Sequence, residues 1–142
     1  MNIDSIRNGL VIDHITAGRG MQIYRLLKLD RLDGQVAIIT NATSKKMGKK
    51  DIIKIDTTED IDTSVLGFLD KNITIDIIKN DVLVAKKEPE LPDRLTNVIF
   101  CKNPRCITTT EQELPHIFRL ADREKRVYRC LYCDAEAKRR NL

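Results

Sequence analysis

Residues 9–29 read GLVIDHITAGRGMQIYRLLKL, and the change of hydrophobic period inside this stretch decides the fold. Leu10–Ile15 is short, β-branched and bounded upstream by Gly9, which is the make-up of a strand. Thr16-Ala17-Gly18-Arg19-Gly20 is a break. From Met21 to Leu29 the apolar residues move to helical spacing: Ile23, Leu26 and Leu27 are joined by Tyr24, with Arg25 and Lys28 on the wet side. Further along, Asp33-Gly34 signals a turn. Gln35–Ala42 alternates as a strand, Val36 and Ile38 on one face and Ala37 and Ile39 on the other, which suits a sheet interior. Ser44–Lys50 (SKKMGKK) reads as a basic loop around Gly48, Asp51–Asp56 as a strand, 57–62 as a polar loop and Ser64–Leu69 as a short helix. Asn72–Lys79 is a strand with Ile73, Ile75 and Ile77 on one face. Asn80-Asp81 is a tight turn, and Val82–Lys86 the returning hairpin partner.

The order strand, helix, strand, strand, helix, strand, plus one extra strand, is the split βαβ pattern of an α+β ferredoxin-like sandwich. Its antiparallel sheet is expected to bury one face under two helices and leave the other for a partner or solvent. Lys86–Arg94 (KKEPELPDR) holds two prolines and six charges and reads as a stiffened linker. The expected domains are therefore 1–91 and 92–142. Short strands follow at Asn97–Cys101, Ile117–Leu120 and Arg126–Cys130, with Thr108–Glu113 as a loop, so the second domain is expected to be small, all-β and zinc-ribbon-like.

All four cysteines sit in that second domain. Cys101 and Cys106 are separated by four residues; after 23 more residues come Cys130 and Cys133, separated by two. Zinc takes four soft ligands at tetrahedral corners about 2.3 Å from the ion. Two close pairs on two turns supply that geometry, and Asn103-Pro104-Arg105 is turn chemistry inside the first pair. Four cysteines leave no vacant coordination position, so one Zn²⁺ here is structural and not catalytic. A domain this small depends on its metal to fold. Iron uses the same ligand set.

The composition of the 142 residues narrows the field. The hydrophobic share of 42% is enough for a packed core, and with no Trp, three Phe and three Tyr that core must be aliphatic. No apolar run approaches the roughly 20 residues of a membrane span, and the N-terminus lacks a signal-peptide core, so no membrane is expected and a cytoplasmic address follows. In a reducing compartment, clustered cysteines favour a metal over disulfides. The net charge of +4 lies wholly in residues 97–142, which hold 10 basic and 6 acidic residues. Zn²⁺ with four thiolates contributes about −2, so the loaded domain falls to about +2.

No catalytic motif is present. Asp13 and His14 are neighbours on a strand and point to opposite faces unless a bulge intervenes. His116 reads as a surface histidine. Lys45, Lys46, Lys49 and Lys50 cluster, and Lys50, Ile52 and Lys54 share a strand face, which offers either a polyphosphate seat or a solvated charged loop. Arg123, Lys125, Arg126, Arg129 and Lys138-Arg139-Arg140, with Phe118, Tyr128 and Tyr132 for stacking, leave a zinc-ribbon nucleic-acid-binding protein as the alternative. Interleaved Asp122, Glu124, Asp134 and Glu136 speak for a protein partner and against nucleic acid.

In combination, Gly9–Ile15 (GLVIDHI), Met47–Ile55 (MGKKDIIKI), Leu91–Val98 (LPDRLTNV) and the cysteine spacing resemble the regulatory chain of prokaryotic aspartate carbamoyltransferase, over essentially the whole chain. The resemblance implies a non-catalytic allosteric subunit in pyrimidine biosynthesis. Its N-terminal domain would bind nucleoside triphosphates, with pyrimidine triphosphates (CTP, UTP) inhibiting and ATP activating, and would pair two regulatory chains. Its zinc domain would grip the catalytic chain, in an assembly of two catalytic trimers and three regulatory homodimers. The implied nucleotide residues are Ile3–Ser5, Asp13 as a base or ribose acceptor, His14, Lys50, Lys54, Asp76, Ile78, Leu83 and Lys86. Asp76 and Asp81 replace an amide and an aromatic residue of better-known members. Asn103 and Arg105 would face the catalytic chain.

Overall fold

The computed structural model describes residues 6–138, so Ile3, Ser5, Arg139 and Arg140 lie outside the described residues. The chain divides into two compact units, Met1–Pro89 and Glu90–Leu142. Leu91 and Pro92 belong with the second, because their carbonyls accept hydrogen bonds from Arg123 and Tyr128.

The first unit runs β1 (Gly9–Thr16), α1 (Gly20–Leu26), a 3-10 turn (Leu29–Arg31), β2 (Gln35–Ser44), β3 (Gly48–Asp56), α2 (Leu66–Leu69), β4 (Thr74–Lys79) and β5 (Val82–Lys87). The sheet order is β2-β3-β1-β4-β5 with every neighbouring pair antiparallel. This is the expected split βαβ arrangement with the extra strand β5 added beside β4. One face carries the core: Ile12, Ile15, Ile53, Ile55 and Ile75 are nearly or fully buried, together with Ile23 and Leu29 beside α1 and Val65, Leu66 and Leu69 around α2. Gly9 is obligatory. Its φ is +143°, and a Cβ there would collide with the Ile55 carbonyl oxygen. The β4–β5 turn holds Asn80 and Asp81 at φ 51° and 67°, and Lys79 pairs with Val82, so it is the two-residue hairpin expected.

Local details differ from the sequence reading. Helix α1 ends at Leu26 instead of continuing to Leu29, because Lys28 turns left-handed (φ 54°) and directs Leu29 back into the core. The basic segment 44–50 is a tight hairpin, with Lys49 and Lys50 inside β3.

Two β-bulges shape this sheet. In β1, Asp13 and His14 together oppose Ile52, with His14 at φ 58°, and in β2 Asn41 (φ 57°) marks a second bulge. Asp51, 1% exposed, holds the second in place. Its Oδ1 accepts the Asn41 N–H (3.0 Å), and its Oδ2 accepts the N–H groups of Gly18 (3.0 Å) and Gly20 (2.9 Å). Asp70 ties the same β1–α1 loop from the other side, accepting the Thr16 N–H at 2.8 Å.

The second unit has β6 (Arg94–Thr96), α3 (Ile107–Thr110), β7 (Ile117–Asp122) and β8 (Val127–Cys130), with sheet order β6-β7-β8. The strand expected at Asn97–Cys101 lies earlier, at 94–96, because Asn97 takes a positive φ of 56° and ends the pairing. Part of the expected 108–113 loop is the one-turn helix α3. Its core is Leu95, Ile99, Phe118 and Tyr128. Burial pushes the Tyr128 phenol up to about 12, and its hydroxyl donates to the Pro92 carbonyl at 2.6 Å.

Candidate functional site

Strand alternation leaves the face of the first sheet away from the helices lined by a distinct set of residues. Cross-strand register places Ala37, Lys54, Val11, Asp76 and Lys86 in one row across all five strands. The next row holds Ile39, Ile52, the Asp13–His14 bulge and Thr74, and beyond it Lys50 stands opposite Thr16. On the other side, Ile78 pairs with Leu83. Asp13, His14, Lys50, Lys54, Asp76, Ile78, Leu83 and Lys86 therefore share one face. Asp81 sits at the hairpin tip.

The bulge brings Asp13 and His14 to the same side, which a regular strand forbids. It also keeps Ile12 and Ile15 both in the core. Lys50 Nζ lies 2.9 Å from Asp13 Oδ1, with the two side chains 16% and 21% exposed. Burial pushes the Asp13 carboxyl up, but the Lys50 hydrogen bond, the His14 N–H and the charges of His14 and Lys50 outweigh it and hold it below its ordinary value. His14 Nδ1 is 2.9 Å from Thr74 Oγ1. Neither group is arranged around a nucleophile. Asp76 Oδ1 is the one buried side-chain oxygen or nitrogen without a partner among the described residues, although Lys86 stands directly opposite in register.

Sequence reading missed Thr74 and the central Val11. The signal was available, since Val11 shares a strand face with Asp13, and Thr74 with Asp76. A separate cavity of about 510 Å³ opens beneath the 57–63 loop, between Leu10, Ile61, Ile75 and Ile77; among the described residues expected from the sequence to meet nucleotide, Ile78 alone lines it.

In the second unit, Cys101, Cys106, Cys130 and Cys133 place all four sulfurs within 4.8 Å of one another. Cys101 and Cys133 are 3.6 Å apart at sulfur and Cys106 and Cys130 3.7 Å, far beyond a disulfide. A regular tetrahedron of sulfurs about 2.3 Å from zinc has edges of about 3.8 Å. The four thiols thus fit a single structural zinc ion, with no fifth position for chemistry.

Each knuckle is braced. The Cys101 N–H donates to His116 Nδ1 at 3.0 Å, so His116 is a half-buried bracket for the first knuckle and not a free surface histidine. Phe100 packs edge-on against that ring at 5.1 Å. Asn103 Oδ1 accepts the Arg105 N–H at 3.1 Å, and the Asn103 side chain also hydrogen-bonds the Cys133 thiol. Without metal, burial pushes the Cys101 thiol up to about 12. Burial opposes ionisation at Cys133 too, but hydrogen bonds from Asn103, the Ala135 N–H and the neighbouring thiols bring it down to about 7. Around the knuckles, Phe100, Ile107, Leu131 and Tyr132 are exposed, and so is Arg105.

The aromatic side chains considered for base stacking are not available for it. Phe118 and Tyr128 are fully buried, which leaves Tyr132 alone. Arg119, Arg123 and Lys138 are paired with Asp134, Asp93 and Glu136.

Family models match both units: residues 1–90 match the aspartate carbamoyltransferase regulatory chain, allosteric domain, and residues 93–142 its metal binding domain. The chain is 54% identical to the aspartate carbamoyltransferase regulatory chain of Clostridium botulinum, over 94% of this chain and 92% of the relative. Identity to the same protein of Clostridium acetobutylicum is 51% over the same shares. For that of Bifidobacterium longum it is 46%, over 97% of this chain and 99% of the relative.

Proposed function

The chain belongs to the family of aspartate carbamoyltransferase regulatory chains, and from that premise we propose that it binds nucleoside triphosphates on the open face of its first unit and docks to catalytic trimers through its zinc unit. It is a regulatory chain and not the catalytic one. One observation supports the effector site: three lysines from two strands, Lys50, Lys54 and Lys86, lie on one face that also carries the Asp13–His14 bulge and apolar Val11, Ile52 and Ile78. Lysine ammonium groups suit polyphosphate as point charges, and the apolar positions suit a base or sugar. Asp13, already an acceptor for Lys50, is placed to accept from a base or ribose. Asp76 repels phosphate, and Lys86 opposite offsets that repulsion. Ile3 and Ser5 belong to the proposed set by the resemblance alone.

CTP and UTP are the proposed inhibitors and ATP the activator. Each can act only by binding two states of the assembly unequally, since equal affinity shifts nothing. The proposed assembly, in the cytoplasm, is two catalytic trimers with three regulatory homodimers. In the zinc unit, Asn103 and Arg105 on the first knuckle and exposed Phe100, Ile107, Leu131 and Tyr132 form the proposed docking surface. No helix among the described residues is long and apolar enough to cross a membrane.

Co-purification with a catalytic chain, with and without chelator, tests the docking half. Zinc-loaded chain is expected to associate and metal-stripped chain to fail. Equal association of both would sever docking from the metal. Equilibrium dialysis of the zinc-loaded chain with CTP, UTP and ATP tests the effector half, and absence of binding by all three refutes it.

A further inference from the structure

Backbone N–H groups reach three of the thiols: Asn103 serves Cys101, Tyr132 and Cys133 serve Cys130, and Ala135 serves Cys133. Cys106 has a buried side-chain hydroxyl beside it. Thr108 Oγ1 lies 3.1 Å from Cys106 Sγ, and Thr108 is 3% exposed.

Thr108 is the first of three consecutive threonines on α3 with different surroundings. Thr109 and Thr110 are exposed and spend their hydroxyls on carbonyls of their own turn, Cys106 O at 2.7 Å and Ile107 O at 3.1 Å. Thr108 alone points inward, and its hydroxyl goes to sulfur. A buried hydroxyl needs an acceptor, and a thiol is a weak one. A metal-bound thiolate is a strong one, because the bond is then charge-assisted. The hydroxyl must be the donor in that state, since a thiolate has no proton to give.

We propose that Thr108 is a positioning residue of the metal centre: its hydroxyl holds the Cys106 thiolate in place and slows loss of the ion. Groups that hydrogen-bond a metal's ligands tune both ligand orientation and affinity. The consequence for function is a longer lifetime for the folded docking surface, whose first knuckle ends at Cys106.

The test uses the full chain loaded with Zn²⁺ or Co²⁺. Thr108→Val keeps the shape and removes the donor; Thr108→Ser keeps the donor. Zinc transfer to an excess of a chelating dye is expected to be about 10–100-fold faster in Thr108→Val, and within about threefold of the parent in Thr108→Ser. In the Co²⁺ form the sulfur-to-metal charge-transfer band is expected to shift in Thr108→Val and to stay in place in Thr108→Ser. That band reads the bond to sulfur and not general stability. If Thr108→Val fails to load metal, Thr108→Ala is measured in the same way. Parent-like release and an unmoved band in the hydroxyl-free variant overturn the proposal, and so does a Thr108→Ser variant that behaves like Thr108→Val.

Discussion

Replacing Asp51 by asparagine is expected to cost the first unit about 4 kcal/mol, though the change is nearly isosteric and lies on the sheet face opposite the proposed ligand. Asp51 is 1% exposed and accepts three backbone N–H groups, those of Gly18, Gly20 and Asn41, at 2.9–3.0 Å. An asparagine has one oxygen. Left in the Oδ2 position it still serves Gly18 and Gly20, but as a neutral acceptor, losing about 1 kcal/mol from each bond. The new NH₂ then faces the Asn41 N–H, donor against donor, which costs about 2 kcal/mol for a buried unsatisfied group. Gly20 offers no room to rotate away, since a Cβ there would already lie 2.9 Å from Asp51 Oδ2. The readout is urea unfolding of the zinc-loaded chain by far-UV circular dichroism. With a slope of about 1.5 kcal/mol/M, the midpoint should fall by about 2.5 M. Hydrogen exchange should place the weakened amides in β1, β2 and the loop between β1 and α1. A midpoint shift below about 0.5 M would refute the claim that this carboxylate organises the bulged half of the sheet.

Lys54→Ala should weaken CTP binding by about tenfold in calorimetric titration, the scale of one partly exposed lysine–phosphate contact, while leaving the urea midpoint within about 0.5 kcal/mol of the parent. Asp76→Asn removes a negative charge from the lysine row and should tighten triphosphate binding several-fold in the same assay. The lowered Asp13 carboxyl contributes stability that is present above its unfolded value near 4 and is lost as pH falls through its folded value. Urea midpoints between pH 5 and pH 2 should therefore decline more steeply for the parent than for Asp13→Asn, and parallel declines would contradict the Asp13–Lys50 pairing. Chelation should collapse the β6–β8 amide protection seen by hydrogen exchange. Because the free Cys101 thiol stands near 12, zinc binding at pH 7 should release protons, detectable as a dependence of binding heat on buffer ionisation enthalpy.

Much of this architecture is legible in single residues. Strand alternation placed Ile73, Ile75 and Ile77 on one side, and Lys50 and Lys54 with Ile52 on the other. Asn80-Asp81 announced a hairpin because both residues tolerate positive φ. The cysteine spacing announced the metal because two knuckles are what a tetrahedron of thiolates requires. Harder to read were positions where the backbone departs from its period. Lys28, His14, Asn41 and Asn97 all take positive φ without being glycine, and each ends or offsets an element where side-chain patterning alone continues it. The register of Asn97–Cys101 failed for that reason.

Local chemistry carried by the sequence alone therefore set which residues are apolar on which face, where the turns fall, and that four thiols form one metal site. Tertiary structure decided what those residues meet. Asp13 and His14 share a face only because a bulge absorbs one residue of β1 against Ile52. Asp51 is a structural acceptor only because three distant N–H groups converge on it. Thr108 serves a sulfur, while the two threonines after it serve carbonyls, only because α3 turns that one hydroxyl inward. The first two depend on contacts between segments distant in the chain and the third on how one short helix turns, and a periodic pattern along the chain holds no record of any of them.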